Sequence, residues 1–444
     1  MAGICVTGYG LVSPLGQTLA AFDEALFTAR SSVQPYLLEL PGSASVSVAV
    51  ARCAFDESSV RAPSKVPLDR GSAMALVAAE AAAAMAFPSA AGATTFDMTQ
   101  VDPARLGIYW GSGMGGAATF DAICRTVYGE HKRIRPTALV TAMPNAPLAE
   151  LALRFGAHGA AIGYDCACAS AAVAIGEAML AIRAGRIDIA IVGGSDALLS
   201  PGVVGAWQAM RVLASGVGSA EQVARACRPF SADRAGFALG EGAGALVIES
   251  NAHAQARGAT WHTLLTGYAS NCDGMHITQP DPSGQARAMQ AALRDAGLVP
   301  ADIGHVNAHG TATQAGDAAE AESLRRVFGG LSERKVPGPV PVVTATKAIL
   351  GHLLGAGGAV ELIATLRALE RGLVPPTGHG RADMHARTTV DTSLLDSPLD
   401  TPLDSAFDID LPRDGARAVP GLRHAISNSF AFGGTNAVLV ASKA

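Results

Sequence analysis

Two cysteines, Cys166 and Cys168, stand inside Tyr164-Asp165-Cys166-Ala167-Cys168-Ala169-Ser170-Ala171, just ahead of a long run of small residues. That run predicts a helix. A cysteine at its entry would sit near free backbone N–H groups and the positive end of the helix dipole, which favour a thiolate. A cytosolic cysteine is more often a buried structural residue, so this segment alone leaves both readings open. A second element is Asn307-Ala308-His309-Gly310-Thr311-Ala312-Thr313, followed by Gly316-Asp317. It places His309 where a strand ends, from which an imidazole can project into a cleft. A third, Thr346-Lys347-Ala348-Ile349-Leu350-Gly351-His352-Leu353-Leu354-Gly355, sets Lys347 and His352 around a glycine-rich turn. Glu361 follows inside an apolar helical stretch, where an acid needs a partner, and Lys347 is the natural one. A fourth is Asn428-Ser429-Phe430-Ala431-Phe432-Gly433-Gly434-Thr435-Asn436. Its glycines expose backbone N–H groups suited to an oxyanion hole.

The elements that must position these groups read as α/β. Short apolar runs at Ile4–Thr7, Leu106–Tyr109, Ile187–Val192, Gly244–Ile248, His305–Ala308, Val340–Thr344 and Ala437–Ala441 predict strands buried on both faces. Ser72–Phe87, Ala169–Ala184, Gly284–Ala296, Ala318–Phe328 and Ala356–Arg371 predict helices. Several strands enter glycine-rich turns, but neither GxxxxGK[ST] nor a GxGxxG with an acidic follower is present. Tight turns are the preferred reading over a phosphate loop. Gly329–Pro341 and His379–Arg417 are expected to be surface excursions, the latter for its weak periodicity and repeated Asp and Pro. A boundary near residue 250 gives two halves of similar style, 1–250 and 251–444, although no sequence repeat is visible.

Composition bounds the rest. Of 444 residues, 49% are hydrophobic and 16% charged, enough apolar material for a large core. The net charge of −5 gives no reason to expect nucleic acid. Seven scattered cysteines without a CxxC pair fit neither a disulfide framework nor a structural zinc site, and point to a reducing cytosol. The N-terminus lacks a basic n-region, so no signal peptide is expected. The most apolar stretches, Met74–Phe87 and Cys166–Ile182, each contain a Glu and read as core helices rather than membrane spans.

The four elements, in this order and spacing, resemble the β-ketoacyl-[acyl-carrier-protein] synthase family, most closely its elongating type I/II branch and synthase II. Val6-Thr7-Gly8-Tyr9-Gly10, Ser13-Pro14-Leu15-Gly16, Arg228-Pro229-Phe230, Gly236-Phe237 and Gly240-Glu241-Gly242-Ala243-Gly244 match too. The resemblance spans nearly the whole chain. It implies a thiolase-like fold: two similar α/β halves in α-β-α-β-α layers, usually dimeric. It implies that Cys168, not Cys166, accepts the acyl group, and that His309 and His352 support malonyl decarboxylation. Lys347 and Glu361 match a nearby ion pair. The N–H groups of Cys168 and Phe432 match the oxyanion hole, and Phe432 the aromatic gate, with Phe430 beside it. Thr311 and Thr313 match residues near the pantetheine arm, and Met114 an acyl-pocket residue. Lys132, Arg133 and Arg211 match basic residues that dock an acidic acyl carrier protein, with Arg70 and Lys65 as weaker candidates. No metal or organic cofactor is implied, because the thioester carbonyl serves as electron sink.

The chain departs from the family at Ala235, where Asp is frequent, at Gln314, where Pro is frequent, and at Asp165 and Cys166. These departures lean the reading toward a specialised polyene or polyketide pathway rather than housekeeping fatty-acid synthesis. A thiolase would carry a second catalytic cysteine near the C-terminus, yet the last is Cys272. A priming synthase would have Asn at His352. A chain-length-factor-like partner subunit would lack Cys168, although a heterodimer of similar chains stays open.

Overall fold

A computed structural model describes the chain apart from residues 1–2, 41, 90–91, 330–339, 379–402, 405 and 414. Its centre is a ten-stranded sheet built from β1 (Ile4–Val12), β2 (Leu106–Gly111), β3 (Ala161–Tyr164), β4 (Ile189–Asp196), β5 (Gly242–Glu249), β6 (Thr263–Cys272), β7 (His305–Asn307), β8 (Val342–Thr344), β9 (His424–Phe430) and β10 (Thr435–Lys443). The spatial order is β8-β7-β9-β10-β6-β1-β5-β4-β2-β3. The first five strands and the last five are each arranged first, fifth, fourth, second, third. The chain therefore carries the same topology twice, where its text shows no repeat. The two sets meet through their first strands, Ile4 opposite Leu265 and Val6 opposite Thr263, antiparallel.

Five long helices complete the layers: α1 (Arg70–Ala86), α2 (Ser170–Arg183), α3 (Pro282–Ala296), α4 (Gln314–Phe328) and α5 (Gly357–Arg371). Helix α1 packs on β1 and β5, and α3 on β6 and β10, as outer layers. Helices α2 and α5 touch each other and strands of both sets, so they form the middle layer. The layered thiolase-like architecture follows. Small residues make it possible. A Cβ on Gly8 would lie 2.2 Å from the Ala82 carbonyl, and one on Gly358 would lie 2.9 Å from the Ala172 amide. Glycine against alanine lets strand and helix, and helix and helix, approach this closely.

The predicted helices and strands are all present, with β1 running on to Val12 and β8 beginning only at Val342, after Pro341. Three sheet strands escape the sequence pattern. Edge strand β3 is largely exposed. Strand β6 mixes buried and exposed positions and bulges near Gly267. Strand β9 is central yet polar, because Ser427, Asn428 and Ser429 are all buried. The excursion expected at His379–Arg417 needs correcting where it is described. Phe407 and Leu411 pack in the core with Phe230 and Val343, because apolar residues alternate with Asp there and face inward. Residues 379–402, and 330–339 of the other expected excursion, lie outside the described residues.

Candidate active site

Cys168 lies in a short 3-10 turn, Ala167–Ala169, that feeds directly into α2. The turn is tight: Ala167 takes a left-handed φ of 48°, unusual for a residue with a Cβ. Ser170 secures it, accepting from the Cys166 amide at 2.9 Å and donating to the Ala167 carbonyl at 2.7 Å. The second half repeats the device. Leu354, with φ 46°, opens the turn Leu354–Ala356 that feeds α5. Ala167 and Leu354 each stand three residues ahead of their helix. The duplicated fold therefore aims two equivalent helix entries at one point, with Cys168 in one and His352 just ahead of the other.

There His352 Nε2 and Cys168 Sγ are 3.1 Å apart. The Leu354 N–H donates to His352 Nδ1 at 3.3 Å, which assigns the ring proton to Nε2, facing the sulfur. Lys347 Nζ lies 3.3 Å from His309 Nδ1 and donates to the His309 carbonyl at 2.6 Å, so His309 too carries its proton on Nε2. The two rings meet edge to face with centroids 5.4 Å apart. One ring nitrogen of each histidine and the sulfur all lie within 4.8 Å of one another. Such a soft donor set suits a thiophilic divalent ion, but the neighbouring Lys347 ammonium repels a second cation.

The electrostatics follow from burial. Both histidines are held well below their ordinary range, by burial first and then by the Lys347 charge. They are neutral N–H donors at pH 7. Burial pushes the Cys168 thiol up to about 12, partly offset by Lys347. The Nε2–H of His352 and the N-terminal end of α2 both favour the thiolate and work against that rise. Lys347 and Glu361 form a fully buried ion pair at 2.5 Å. Burial raises Glu361 to about 7 while Lys347 pulls it down. Removing either partner would strand the other charge.

Cys168, His309 and His352 line a cavity of about 340 Å³ that opens to the surface past Met210, Ile277 and Thr278, within the usual range for a small-molecule site. Phe432 and Trp207 stack with centroids 6.1 Å apart at its wall. Phe430 lies edge-on to His309, at 6.2 Å. The turn carrying Phe432 needs Gly433 and Gly434, both left-handed (φ 86° and 79°). Among the described residues the Phe432 amide has no acceptor. Thr311 and Thr313 share a hydroxyl contact of 2.9 Å and line the cavity nearer its mouth.

The structure thus brings Cys168, His309, His352, Lys347, Glu361, Phe430, Phe432, Thr311 and Thr313 together. It does not bring Met114 to this cavity. Met114 is 39% exposed, in a turn whose Gly113 and Met114 amides donate to buried Asp196. Arg70 is also misplaced as a docking residue. It is spent on Glu241 at 2.7 Å and Glu57 at 2.5 Å, with only 17% of its side chain exposed. Lys132 pairs with Glu130 at the surface, at 2.9 Å. Lys65, Arg133 and Arg211 are exposed, and Arg211 follows the mouth residue Met210.

Sequence reasoning missed the buried carboxylates behind the catalytic turns. Glu320 accepts from the amides of His309 (2.8 Å) and Gly310 (2.7 Å) and from Asn428 (3.2 Å). Asp317 accepts from Thr311, Ala312 and Phe230. Asp196 ties Ser112 and Gly113 of the first half to Gly355 of the second. The signal was available for Glu320, an acid among alanines in α4, by the same logic that flagged Glu361.

The β-ketoacyl synthase N-terminal domain matches residues 1–254 and the C-terminal domain residues 262–381. Nodulation protein E of Rhizobium meliloti (strain 1021) is 35% identical, covering 98% of each chain. The 3-oxoacyl-[acyl-carrier-protein] synthase 2 of Staphylococcus aureus (strain COL) is 32% identical, covering 99% of this chain and 98% of its own. The crystal structure of a β-ketoacyl synthase from Burkholderia phymatum STM815 superposes with a TM-score of 0.83 at 30% identity, over the full length of both chains.

Proposed function

The chain belongs to the β-ketoacyl synthase family, and from that premise we propose how its residues divide the family's condensation between them. The reaction joins a malonyl unit on acyl carrier protein to an acyl thioester, with loss of carbon dioxide. Cys168 attacks the incoming acyl thioester. Its thiol proton leaves with the carrier's thiol, and the acyl group stays on sulfur. The amides of Cys168 and Phe432 hold the oxyanion of that step. Malonyl-carrier then enters past Thr311 and Thr313. As its carboxylate leaves as carbon dioxide, the electron pair moves onto the thioester oxygen, where the Nε2–H groups of His309 and His352 stabilise it. The enolate carbon then attacks the acyl-Cys168 carbonyl, and sulfur leaves as the thiolate. Lys347, paired with Glu361, fixes the tautomer of His309 and raises the local potential. The observation that carries this reading is the convergence of Cys168 Sγ with two N–H-bearing imidazoles in one buried cavity. Incubation with acyl- and malonyl-carrier proteins tests it, read by intact mass. A β-ketoacyl product on the carrier is expected; unchanged reactants would refute it.

Residues 1–250 and 251–444 form the two halves in this reading, the first supplying Cys168 and the second both histidines. The chain works as a dimer. The exposed edge strand β3, with Ile162 41% exposed, offers free backbone and an apolar side chain for a second copy or a similar chain. Sedimentation at twice the chain mass checks this, and Ile162→Lys should yield monomer. Lys132, Arg133 and Arg211 remain the groups proposed to meet the acidic carrier. Charge reversal at Lys132 and Arg133 together should raise KM for carrier-bound substrate and flatten its salt dependence; an unchanged salt series would remove that role. All seven cysteines are free, and among the described residues no helix is long and apolar enough to cross a membrane. Both fit a cytoplasmic enzyme. Similarity to nodulation protein E as well as to a synthase 2, with the departures at Ala235 and Gln314, favours a specialised acyl product.

A further inference from the structure

Arg234 is 5% exposed, which is unusual for an arginine unless it is fully paired. Its guanidinium reaches three separate segments. It donates to the carbonyls of Ser231 (3.0 Å), Thr313 (3.3 Å) and Gln314 (3.1 Å). It meets the Asp404 carboxylate at 3.2 Å and lies 4.7 Å over the Phe407 ring. Asp317 stands further off, at 3.9 Å.

Two of the positions where this chain departs from the family's pattern, 235 and 314, converge on the same group. Position 235 is alanine, and the carboxylate on the other side of Arg234 in sequence, Asp233, pairs with Arg228 at 3.0 Å, so the close anion arrives from residue 404. Gln314 returns a bond from its side-chain amide to the Arg234 carbonyl, at 2.6 Å. The Asp404 segment is anchored independently. Its amide donates to the Phe230 carbonyl at 3.1 Å, Leu403 bridges to Ser231, and Phe407 packs edge-on to Phe230 with centroids 6.1 Å apart.

The turn held by Arg234 lines the cavity. Gly310, Thr311, Thr313, Ala315 and Gly316 all face it. The turn is strained, with Ala312 at φ 60°, so it keeps its shape only while its surroundings enforce it. We infer that Asp404 is a positioning residue for substrate. Through Arg234 it sets the 310–317 turn, so that Thr311 and Thr313 meet the amide-bearing pantetheine arm of the carrier. This rests on the reading of those threonines given above. It assigns a task to the end of a segment that otherwise reads as a surface excursion.

The test compares transfer to Cys168 from two thioesters of one acyl group, a full-length acyl-pantetheine and a short acyl-N-acetylcysteamine. Asp404→Asn keeps the shape and removes the charge. It is expected to raise KM for acyl-pantetheine about 10-fold, the size of one charge-assisted hydrogen bond. It should leave kcat, the KM for the short thioester and the rate of Cys168 alkylation by iodoacetamide unchanged. Asp404→Glu should restore part of the loss. Phe407→Leu, which removes the ring beneath Arg234 and keeps an apolar side chain against Phe230, should show the same substrate split at smaller size, and it carries the test if Asp404→Asn fails to fold. If Thr313→Ala raises KM for acyl-pantetheine and Asp404→Asn does not, the inference fails while the threonine reading stands. If Thr313→Ala has no effect either, both fall. Equal losses with both thioesters and in alkylation would show general loosening and overturn it.

Discussion

Cys168→Ser is expected to lose condensation by at least about 10⁴-fold, the scale seen when a covalent nucleophile is removed from a preorganised site. Serine keeps the size and the turn. Its hydroxyl has a far higher pKa than a thiol, and nothing in the cavity is placed to take its proton. His352 already carries its ring proton toward the sulfur. Decarboxylation of malonyl-carrier should survive, because it uses His309, His352 and the thioester oxygen rather than the sulfur. Cys166→Ser should stay within a few-fold of wild type. Cys166 is only half-buried, and burial followed by the nearby Asp165 and Glu177 raises its thiol, so it gains no activation. Peptide mapping after treatment with a cerulenin-like epoxide gives a second readout. Label on Cys166 with Cys168 clean would reverse the assignment.

The histidines carry the second large effect. His309→Ala and His352→Ala should each slow malonyl decarboxylation about 10²–10³-fold, the cost of removing one preorganised donor from a developing oxyanion. The two should differ in one respect. His352 touches Sγ and His309 does not, so His352→Ala should also slow alkylation of Cys168. His309→Ala should leave alkylation near normal. The pH profile follows from the direction of the shifts. Burial and Lys347 hold both imidazoles well below their ordinary range. Neither gains or loses a proton between pH 6 and pH 8, and both stay neutral donors throughout. The imidazoles should therefore put no inflection into the decarboxylation rate across that window, where the site's titrating groups are Glu361 and Asp317, each raised by burial to about 7. An inflection near pH 6.5 that vanished in one alanine variant would show that histidine titrating, and the neutral-donor mechanism would be wrong.

Much of this was legible in the text because it is local. Cys168 before a run of small residues, His309 at a strand end, and Glu361 within an apolar helix are statements about neighbours within a few residues. Helical and strand periodicity report such neighbourhoods faithfully. The five long helices appear where the pattern put them for the same reason. The family resemblance then joined the four elements into one reaction without any distance being known.

Tertiary structure alone decided what depends on partners far along the chain. Cys168 and His352 are 184 residues apart in sequence and 3.1 Å apart in space. Their meeting follows from a topology used twice, which sequence divergence had hidden. Strand β9 looked like no strand because it buries Ser427, Asn428 and Ser429, and Asn428 donates to Glu320 on α4. Polarity in a core is intelligible only once its hydrogen-bond partner is in view. Arg70 read as a free surface charge until Glu241 closed on it. Asp404 read as part of a loose surface run until Arg234 was found beneath it. The sequence by itself determined the reacting groups and the helices that carry them. Burial and pairing, which rest on contacts between distant segments, determined which charges are free and which are consumed in holding the site.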